Sequence, residues 1–323
     1  MRPLVIGHRG APGYLPEHTR ASYELAIAHG VDAVEPDVVP SRDGVLVVRH
    51  ENEISTTTDV ADRPEFAHLR RTRSFAGVEL TGWFTEDFTW EQLSTLRCRE
   101  RLPHLRPGSA AHDDEQPMLR LTDLLDLLDA AGRDIRLVLE VKHAAYFATI
   151  GLDPASLVSD AIRSAGWWGD AERLVVESFE PTVLAELRAA GLPATFVQLV
   201  EAEGAPVDLL LARGAAAPTY REMISPSGLE RLADEVEGIS LDKAIVLGDA
   251  GARLVADAHA RGLLVYAWTA RPENRFLESR FRRGEDPARF GDYAAEWTRM
   301  RDAGIDGVFV DHPDLGAAAF GRP

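Results

Sequence analysis

Short apolar runs alternate along the chain with longer segments in which apolar residues recur at helical spacing. The runs are rich in valine, isoleucine and leucine, and they are continuous rather than alternating. Continuous apolar character is expected of parallel strands whose two faces are both covered. The pattern predicts eight strands, at 4–7, 32–37, 135–141, 173–177, 194–199, 237–241, 263–268 and 306–310.

Helices are predicted between these strands, and several of their ends are marked. Pro154 and Pro181 stand near first turns, where the missing N–H of proline costs nothing, and Gly132 is placed to end the helix before it. Interleaved strands and helices of this number predict an α/β fold, the (β/α)8 TIM barrel, for which ~250 residues is typical. The predicted helices span 18–29, 119–131, 154–165, 181–190, 226–236, 249–260 and 290–303.

The 323 residues exceed what such a barrel needs. We therefore predict a single TIM-barrel domain over 1–323, with one insertion at 51–118, after the second strand region, and a smaller one at 271–289. A doubly wound sheet is the competing α/β architecture, but the chain contains no GxGxxG after a strand and no GxxxxGK[ST]. The first insertion contains the aromatic residues Trp83, Phe84, Phe88 and Trp90. Trp83, Phe84 and Trp90 either cap the alcohol part of a ligand or belong to a core of the insertion's own.

Charge and cysteine content exclude several classes of protein. The 52 acidic residues outnumber the 35 basic ones, which gives a net charge of −17 and disfavours both nucleic acid and anionic lipid surfaces as partners. Cys98 is the only cysteine, so the chain has no internal disulfide and no thiolate-rich zinc site. The amino terminus lacks a signal-peptide pattern and no apolar run approaches the ~20 residues of a membrane span, so a cytoplasmic protein without integral membrane association is expected.

Three carboxylates fall at the carboxyl ends of predicted strands, where a barrel of this type places its functional residues. Glu35 and Asp37 are two apart on the second strand, and Glu140 lies on the third, two residues before Lys142. Each feature also has a purely structural explanation: Glu35 and Asp37 could lie at a solvated strand end, and Glu140 could form an ion pair with Lys142 that has no further role. Converging carboxylates repel one another unless a cation neutralises them, and oxygen-only ligation suits Ca²⁺ or Mg²⁺. Together, the three predict a divalent metal site.

Two histidines and two cations accompany these acids. His8 and Arg9 end the first strand, His50 follows the apolar run VLVV, and Lys142 follows the third strand. Histidine is suited to proton transfer near neutral pH, although either one is also explained as a packing residue. Fixed positive charge beside a hard metal and two histidines favours phosphoryl chemistry.

Five spaced motifs follow one another in a fixed order: HRG, PEHT, ExD, a DG turn with a histidine after it, and E-x-K within LVLEVK. The final strand, GVFVDHPD, ends in D-x-P. Through these motifs the chain resembles the glycerophosphodiester phosphodiesterase family. The PEHT motif, the later TTTDVADR and the aromatic and basic insertion resemble its long, calcium-using bacterial branch, which includes periplasmic members.

The resemblance implies a metal-dependent phosphoric diester hydrolase with a place in glycerol and lipid metabolism. It would convert small-molecule glycerophosphodiesters to sn-glycerol 3-phosphate and an alcohol, with one divalent cation, Ca²⁺ preferred over Mg²⁺. The alcohol, the oligomeric state and the order in which the histidines act stay open. The implied roles are His8 and His50 as the acid–base pair, Arg9 and Lys142 on the phosphate, and Glu35, Asp37 and Glu140 on the metal.

Other strand-end residues allow two interpretations. Phe179 and Trp268 either line the glycerol side of a pocket or pack the barrel mouth. Gln198 either donates to the substrate or satisfies backbone groups. Two residues depart from the family pattern: Glu51 replaces the aspartate after the histidine, and Pro36 inside ExD predicts an exposed or bulged turn.

Two alternative functions compete with this one. A phospholipase D-like enzyme would use the same site on lysophospholipids or sphingomyelin, but those relatives are secreted and depend on disulfides. A non-catalytic barrel binding protein is a weaker alternative, because every expected catalytic position is filled.

Overall fold

Eight parallel strands close into a barrel, and the predicted (β/α)8 fold is confirmed. The structure, a computed structural model, describes residues 2–75 and 78–321. Four further strands lie outside or beside the ring. The strands are β1 (Leu4–His8), β2 (Ala33–Glu35), β3 (Asp37–Pro40), β4 (Leu46–Val48), β5 (Arg71–Phe75), β6 (Val78–Gly82), β7 (Arg136–Val141), β8 (Leu174–Ser178), β9 (Thr195–Val200), β10 (Gly238–Asp242), β11 (Leu264–Ala270) and β12 (Gly307–Val310).

The ring is hydrogen-bonded in the order β2, β1, β12, β11, β10, β9, β8, β7, and pairing of β2 with β7 closes it. The predicted second strand is divided at Pro36, which has no N–H to donate to a ladder. Beyond Pro36, β3 runs beside β7 with Asp37 opposite Glu140, and β4 pairs with β3 in antiparallel fashion. The sequence predicted an exposed or bulged turn at Pro36 within one strand; the strand is instead divided there, and Pro36 is buried rather than exposed.

Helices cover the outside of the barrel at the predicted positions. The helix that begins at Pro154 illustrates how the sequence sets a helix start. The side chain of Asp153 accepts a hydrogen bond from the N–H of Ser156, and Pro154 occupies the first turn. Short 3₁₀ helices occur at Val60–Asp62, Pro64–Leu69, Thr85–Asp87, Trp167–Gly169, Gly214–Ala216 and Ser279–Phe281. The α-helices are α1 (Arg20–Ala28), α2 (Trp90–Leu93), α3 (Pro107–Ala110), α4 (Leu121–Asp129), α5 (Ala144–Thr149), α6 (Pro154–Ser164), α7 (Pro181–Ala189), α8 (Val207–Arg213), α9 (Tyr220–Met223), α10 (Pro226–Glu235), α11 (Lys243–Leu247), α12 (Gly251–His259), α13 (Tyr293–Asp302) and α14 (Pro313–Phe320).

Two apolar layers hold the barrel together. The larger lies between strands and helices, and the smaller fills the barrel interior. A Cβ added at Gly307 would lie 2.8 Å from the ring of Tyr266, so the packing of the barrel interior requires glycine at this position. The interior layer consists of Ile6, Ala33, Val138, Val175, Val197, Tyr266 and Phe309.

Much of the segment 51–118 folds around an apolar core of its own, with β5 and β6 as an antiparallel hairpin. Trp83 and Trp90 pack against this core, and Phe84 is fully buried. The aromatic residues of this insertion therefore serve its packing, and none of the four lines the cavity described below. The assignment of 1–323 to one domain with two insertions stays a prediction. The buried members of this core are Val47, Ile54, Val60, Phe66, Leu69, Phe88, Leu93, Leu96, Cys98 and Met118.

Within 2–75 and 78–321, every helix is too short or too polar to span a bilayer.

Candidate active site

The residues predicted from the strand ends surround a single cavity of about 480 Å³ at the carboxyl end of the barrel. Asp37 stands behind its wall, fully buried, with a carboxylate oxygen close to those of two lining residues. The predicted residues that line the cavity are His8, Arg9, Glu35, His50, Glu140, Lys142, Phe179 and Trp268.

Glu35, Asp37 and Glu140 form an acidic centre in this cavity. One oxygen from each carboxylate lies within 4.8 Å of the others. Glu35 Oε1 and Asp37 Oδ1 are buried and accept no hydrogen bond from the described residues. Burying a carboxylate oxygen without a donor is costly, so these atoms are suited to ligate a hard divalent cation.

The electrostatics of the acidic centre point the same way. Burial and the charge of Asp37 raise the pKa of Glu35 well above its ordinary value. Burial raises the pKa of Glu140 to about 8, although Lys142 opposes the shift. Burial opposes the ionisation of Asp37 as well, but His50, Arg9 and Lys142 together hold its pKa well below the usual range. Protons and a divalent cation would therefore compete for this centre.

His8 is held by a buried carboxylate. Its Nδ1 lies 2.6 Å from Oδ1 of Asp311, which follows β12. Oδ2 of Asp311 accepts hydrogen bonds from Arg106 Nη2 and Arg271 Nε, each at 2.6 Å. Burial opposes the ionisation of Asp311, but these two guanidiniums hold its pKa well below the usual range. An ionised Asp311 selects the tautomer with the proton on His8 Nδ1, which leaves Nε2 free to accept a proton.

His50 has an analogous arrangement. Its Nδ1 lies 2.7 Å from Oε1 of Glu51, and its Nε2 lies 3.2 Å from Nζ of Lys142. The other oxygen of Glu51 lies 3.2 Å from Nε2 of His143. Glu51, which departs from the family's aspartate, thus keeps a carboxylate on the histidine. Burial, with Arg9 as the next contribution, lowers the pKa of both His8 and His50 to about 3, so both rings are neutral near pH 7.

Arg9 and Lys142 are bound to the acidic centre. Arg9 takes a left-handed backbone conformation (φ 56°), and its N–H donates to Glu35 Oε2 at 2.9 Å while its Nε lies 3.1 Å from Asp37 Oδ2. Its Nη1 donates to both oxygens of Glu17, so Glu17 holds the first loop. Lys142 Nζ donates to Glu140 Oε1 at 2.9 Å. The ion pair predicted for Glu140 is therefore present, and its lysine lines the cavity.

Aromatic side chains form another part of the wall. The rings of Phe179 and Trp268 meet edge to face at 5.6 Å, and Lys142 Nζ lies 5.5 Å from the Phe179 ring centre. Their contact with a ligand stays a prediction. Gln198 takes the structural alternative: it is fully buried, and its Nε2 donates to backbone carbonyls, that of Leu199 at 2.9 Å among them.

Sequence reasoning missed five residues at this site. Glu177 ends a predicted strand and Asp311 follows another, so the rule that found Glu140 applies to both. Arg101 and Arg106 lie in the long insertion and Arg271 begins the short one, where no periodicity indicates which side chains turn toward the barrel. The missed residues are Arg101, Arg106, Glu177, Arg271 and Asp311.

Asp311→Asn should lower kcat about 30-fold, because the amide no longer selects the His8 tautomer with Nε2 unprotonated. Steady-state kinetics as a function of pH tests this expectation. The positioning role predicts a changed pH profile of kcat with little change in KM. An unchanged profile, with any loss explained by a lower melting temperature, would contradict it.

The fold and the site together define a class, the (β/α)8-barrel enzymes. A phosphodiesterase of Oleispira antarctica in complex with the product sn-glycerol-3-phosphate shares the fold at a TM-score of 0.65 and 20% identity, over 99% of this chain and 98% of that chain. A glycerophosphodiester phosphodiesterase of Agrobacterium tumefaciens matches at a TM-score of 0.61 and 19% identity, over 98% of this chain and 99% of that chain.

The chain belongs to the glycerophosphoryl diester phosphodiesterase family, whose family model matches residues 8–315. It is 30% identical to the glycerophosphodiester phosphodiesterase GDPD6 of Arabidopsis thaliana, over 96% of this chain and 84% of the relative. It is 25% identical to the glycerophosphodiester phosphodiesterase of Treponema pallidum, over 99% of this chain and 92% of the relative. The resemblance to the family drawn from the motifs is confirmed, and the chain is an enzyme, a phosphoric diester hydrolase.

Proposed function

We propose that this enzyme hydrolyses glycerophosphodiesters to sn-glycerol 3-phosphate and an alcohol, with a divalent cation and the His8–His50 pair. The observation that carries the proposal is the convergence, around one cavity, of a buried three-carboxylate centre and two histidines whose Nδ1 atoms face carboxylates. The sn-glycerol-3-phosphate in the Oleispira structure supports the same product class.

Glu35, Asp37 and Glu140 would hold the cation. When bound, a divalent cation polarises a phosphoryl oxygen and favours ionisation of a hydroxyl group beside it. Glu35 Oε1 and Asp37 Oδ1, which accept no hydrogen bond in the described structure, supply anionic ligands. The resemblance to the calcium-using branch supports Ca²⁺ over Mg²⁺.

The histidines would carry the protons. One accepts the proton of the attacking glycerol hydroxyl as the new O–P bond forms. The other, which first takes up a proton from solvent, donates it to the alcohol oxygen as the bond from that oxygen to phosphorus breaks. The product of this step is a cyclic glycerol phosphate, which a water molecule then opens with the proton transfers reversed. Asp311 and Glu51 stabilise the imidazolium that forms at each ring, because each faces Nδ1.

The remaining lining residues would place the substrate. Lys142 Nζ contacts both Glu140 and His50, and Arg9 Nε lies beside Asp37, so the charge of these two side chains would balance that of the phosphate. Phe179 and Trp268 offer apolar surface to the glycerol carbons. Arg9 and Lys142 are both less than one tenth exposed, so this charge acts in a poorly hydrated site.

Product analysis distinguishes the candidate functions. The enzyme is incubated with glycerophosphocholine, glycerophosphoethanolamine, glycerophosphoglycerol, lysophosphatidylcholine and sphingomyelin, with Ca²⁺ and Mg²⁺ in turn. We expect sn-glycerol 3-phosphate from the first three. Turnover confined to the two lipids would indicate the phospholipase D-like alternative, and no turnover with any substrate would indicate a binding protein.

Calcium affinity should rise with pH. Cation binding requires an ionised Glu140, whose pKa burial raises to about 8. Below that pH the protonated form dominates, and the pKa of Glu35 is raised as well, so the association constant should increase by at least about 10-fold per pH unit from 6 to 8. Calorimetric titration with Ca²⁺ at several pH values measures this. A flat affinity over the range would contradict the assignment of Glu140, and Glu140→Gln should show a weaker affinity with a shallower pH slope.

A further inference from the structure

Both insertions place an arginine on the cavity. Arg101 comes from the segment 51–118, and Arg271 begins the segment 271–289 directly after β11. Neither belongs to the motifs that define the family resemblance. Two excursions of the chain that meet in this way at the barrel mouth give the mouth a charge that the barrel strands alone do not supply.

Arg101 is held in place by its surroundings. Glu100 is buried, and its carboxylate accepts the N–H of Leu102 at 2.7 Å and the hydroxyl of Ser109 at 2.5 Å. The side chain of Arg106 is 5% exposed and connects the same loop to the barrel. Its Nε lies 2.8 Å from Glu273 Oε1, and its Nη2 lies 2.6 Å from Asp311 Oδ2. The loop that carries Arg101 is therefore a fixed part of the site.

Arg101 and Arg271 each share a carboxylate partner with another arginine. Arg101 Nε lies 3.4 Å from Oε2 of Glu17. The two oxygens of Glu17 each accept a hydrogen bond from Arg9 Nη1. Arg101 Nε is itself buried and has no hydrogen-bond partner in the described structure. Arg271 shares Asp311 with Arg106. Glu17 and Asp311 thus each contact two guanidiniums, so Arg101 and Arg271 keep donors for a ligand anion.

These arginines lie nearer the cavity mouth than the proposed phosphate-binding pair. The side chains of Arg101 and Arg271 are 28% and 19% exposed, against 6% for Arg9 and 9% for Lys142. A ligand anion that meets them would therefore lie outward of the scissile phosphate.

The opposite side of the mouth carries the other sign. Glu180 follows β8 and Glu201 follows β9, strands that face β12 and β1 across the eight-stranded ring. An anionic group is repelled there, whereas an uncharged glycerol can donate its hydroxyls to carboxylates. The mouth therefore carries basic side chains on one part of its rim and acidic side chains on another.

We propose that Arg101 and Arg271 bind an oxyanion carried by the leaving alcohol, so that glycerophosphodiesters whose alcohol bears a second phosphate are preferred substrates. This inference rests on the proposed function. It also gives the insertions a role: they extend substrate recognition from the scissile phosphate to the alcohol.

The test compares glycerophosphoglycerol with bis(glycerophospho)glycerol, in which the leaving alcohol carries a second phosphate. The readout is the ratio of kcat/KM for the second substrate to that for the first. Wild type should favour the anionic substrate, and Arg101→Gln should lower the ratio about 10-fold, the size expected for a lost guanidinium–phosphate contact near a surface. Arg101→Lys should keep part of the preference, and added salt should weaken it.

Arg97→Gln is the matched control, because Arg97 is an exposed arginine of the same insertion that does not line the cavity. It should leave the ratio unchanged. An equal loss on both substrates in Arg101→Gln would place Arg101 on the scissile phosphate and overturn this inference alone, as would a wild-type enzyme without a preference. No hydrolysis of either substrate would overturn the proposed function and this inference with it.

Discussion

Glu140→Gln should lower kcat/KM on glycerophosphocholine about 10³-fold at a fixed Ca²⁺ concentration, because it removes one anionic ligand from the centre. The substitution is mild for the fold. Glutamine keeps the size of the side chain, and its amide oxygen can still accept the hydrogen bond from Lys142 Nζ. We therefore expect an unchanged melting temperature without metal, and a calorimetric Ca²⁺ affinity at least 10²-fold weaker at pH 8.5.

Asp242→Asn serves as the control for this variant. Asp242 also ends a barrel strand, but its Oδ1 accepts the N–H of Ala244 at the start of α11, and it does not line the cavity. It should retain activity within about 3-fold, as a change outside the site. Equal losses in the two variants, or normal Ca²⁺ affinity in Glu140→Gln, would refute the acidic centre as the metal site.

His8→Ala and His50→Ala should each lower kcat about 10²-fold or more, because each removes a proton carrier from the reaction. The pH profile of kcat should lose the limb that belongs to the missing ring. The double variant should lose less than the product of the two single losses, since the pair acts as a unit.

His68→Ala is the matched control for the histidine variants. His68 is exposed on the 3₁₀ helix Pro64–Leu69, away from the cavity, and its loss should leave kcat and its pH profile unchanged. A single His8 or His50 variant with a near-normal rate would remove that residue from the mechanism.

The barrel was readable from the sequence because its strands are covered on both faces. Continuous apolar runs such as LVIG and RLVLEV report burial directly, and the strand ends then follow. Since all parallel strands end at one face, the sequence alone places residues as distant as His8 and Glu140 at one site.

The support for His8 was not readable in the same way. Arg106 bonds to Asp311 across a separation of 205 residues, and Arg106 lies in an insertion without strand or helix periodicity. Pro36 shows a second limit. Its missing N–H predicted a break in the strand, but not that the continuing chain, β3, would pair with β7 and bury the proline.

Net charge was informative about the surface and not about the site. The net charge of −17 describes an acidic protein surface that disfavours the binding of polyanions. Inside the cavity, Arg9, Arg101, Lys142 and Arg271 stand among carboxylates, and the proposed cation would offset the charge of the acidic centre. A small phosphodiester would therefore meet local positive charge at these side chains.

The measurement that tests the account most directly is the release of sn-glycerol 3-phosphate from glycerophosphocholine before and after metal removal. The enzyme is dialysed against EDTA, its metal content is checked by elemental analysis, and Ca²⁺ or Mg²⁺ is then returned. We predict that activity falls to background after dialysis and returns with Ca²⁺ more fully than with Mg²⁺. A full rate from enzyme shown to hold no metal would contradict the account.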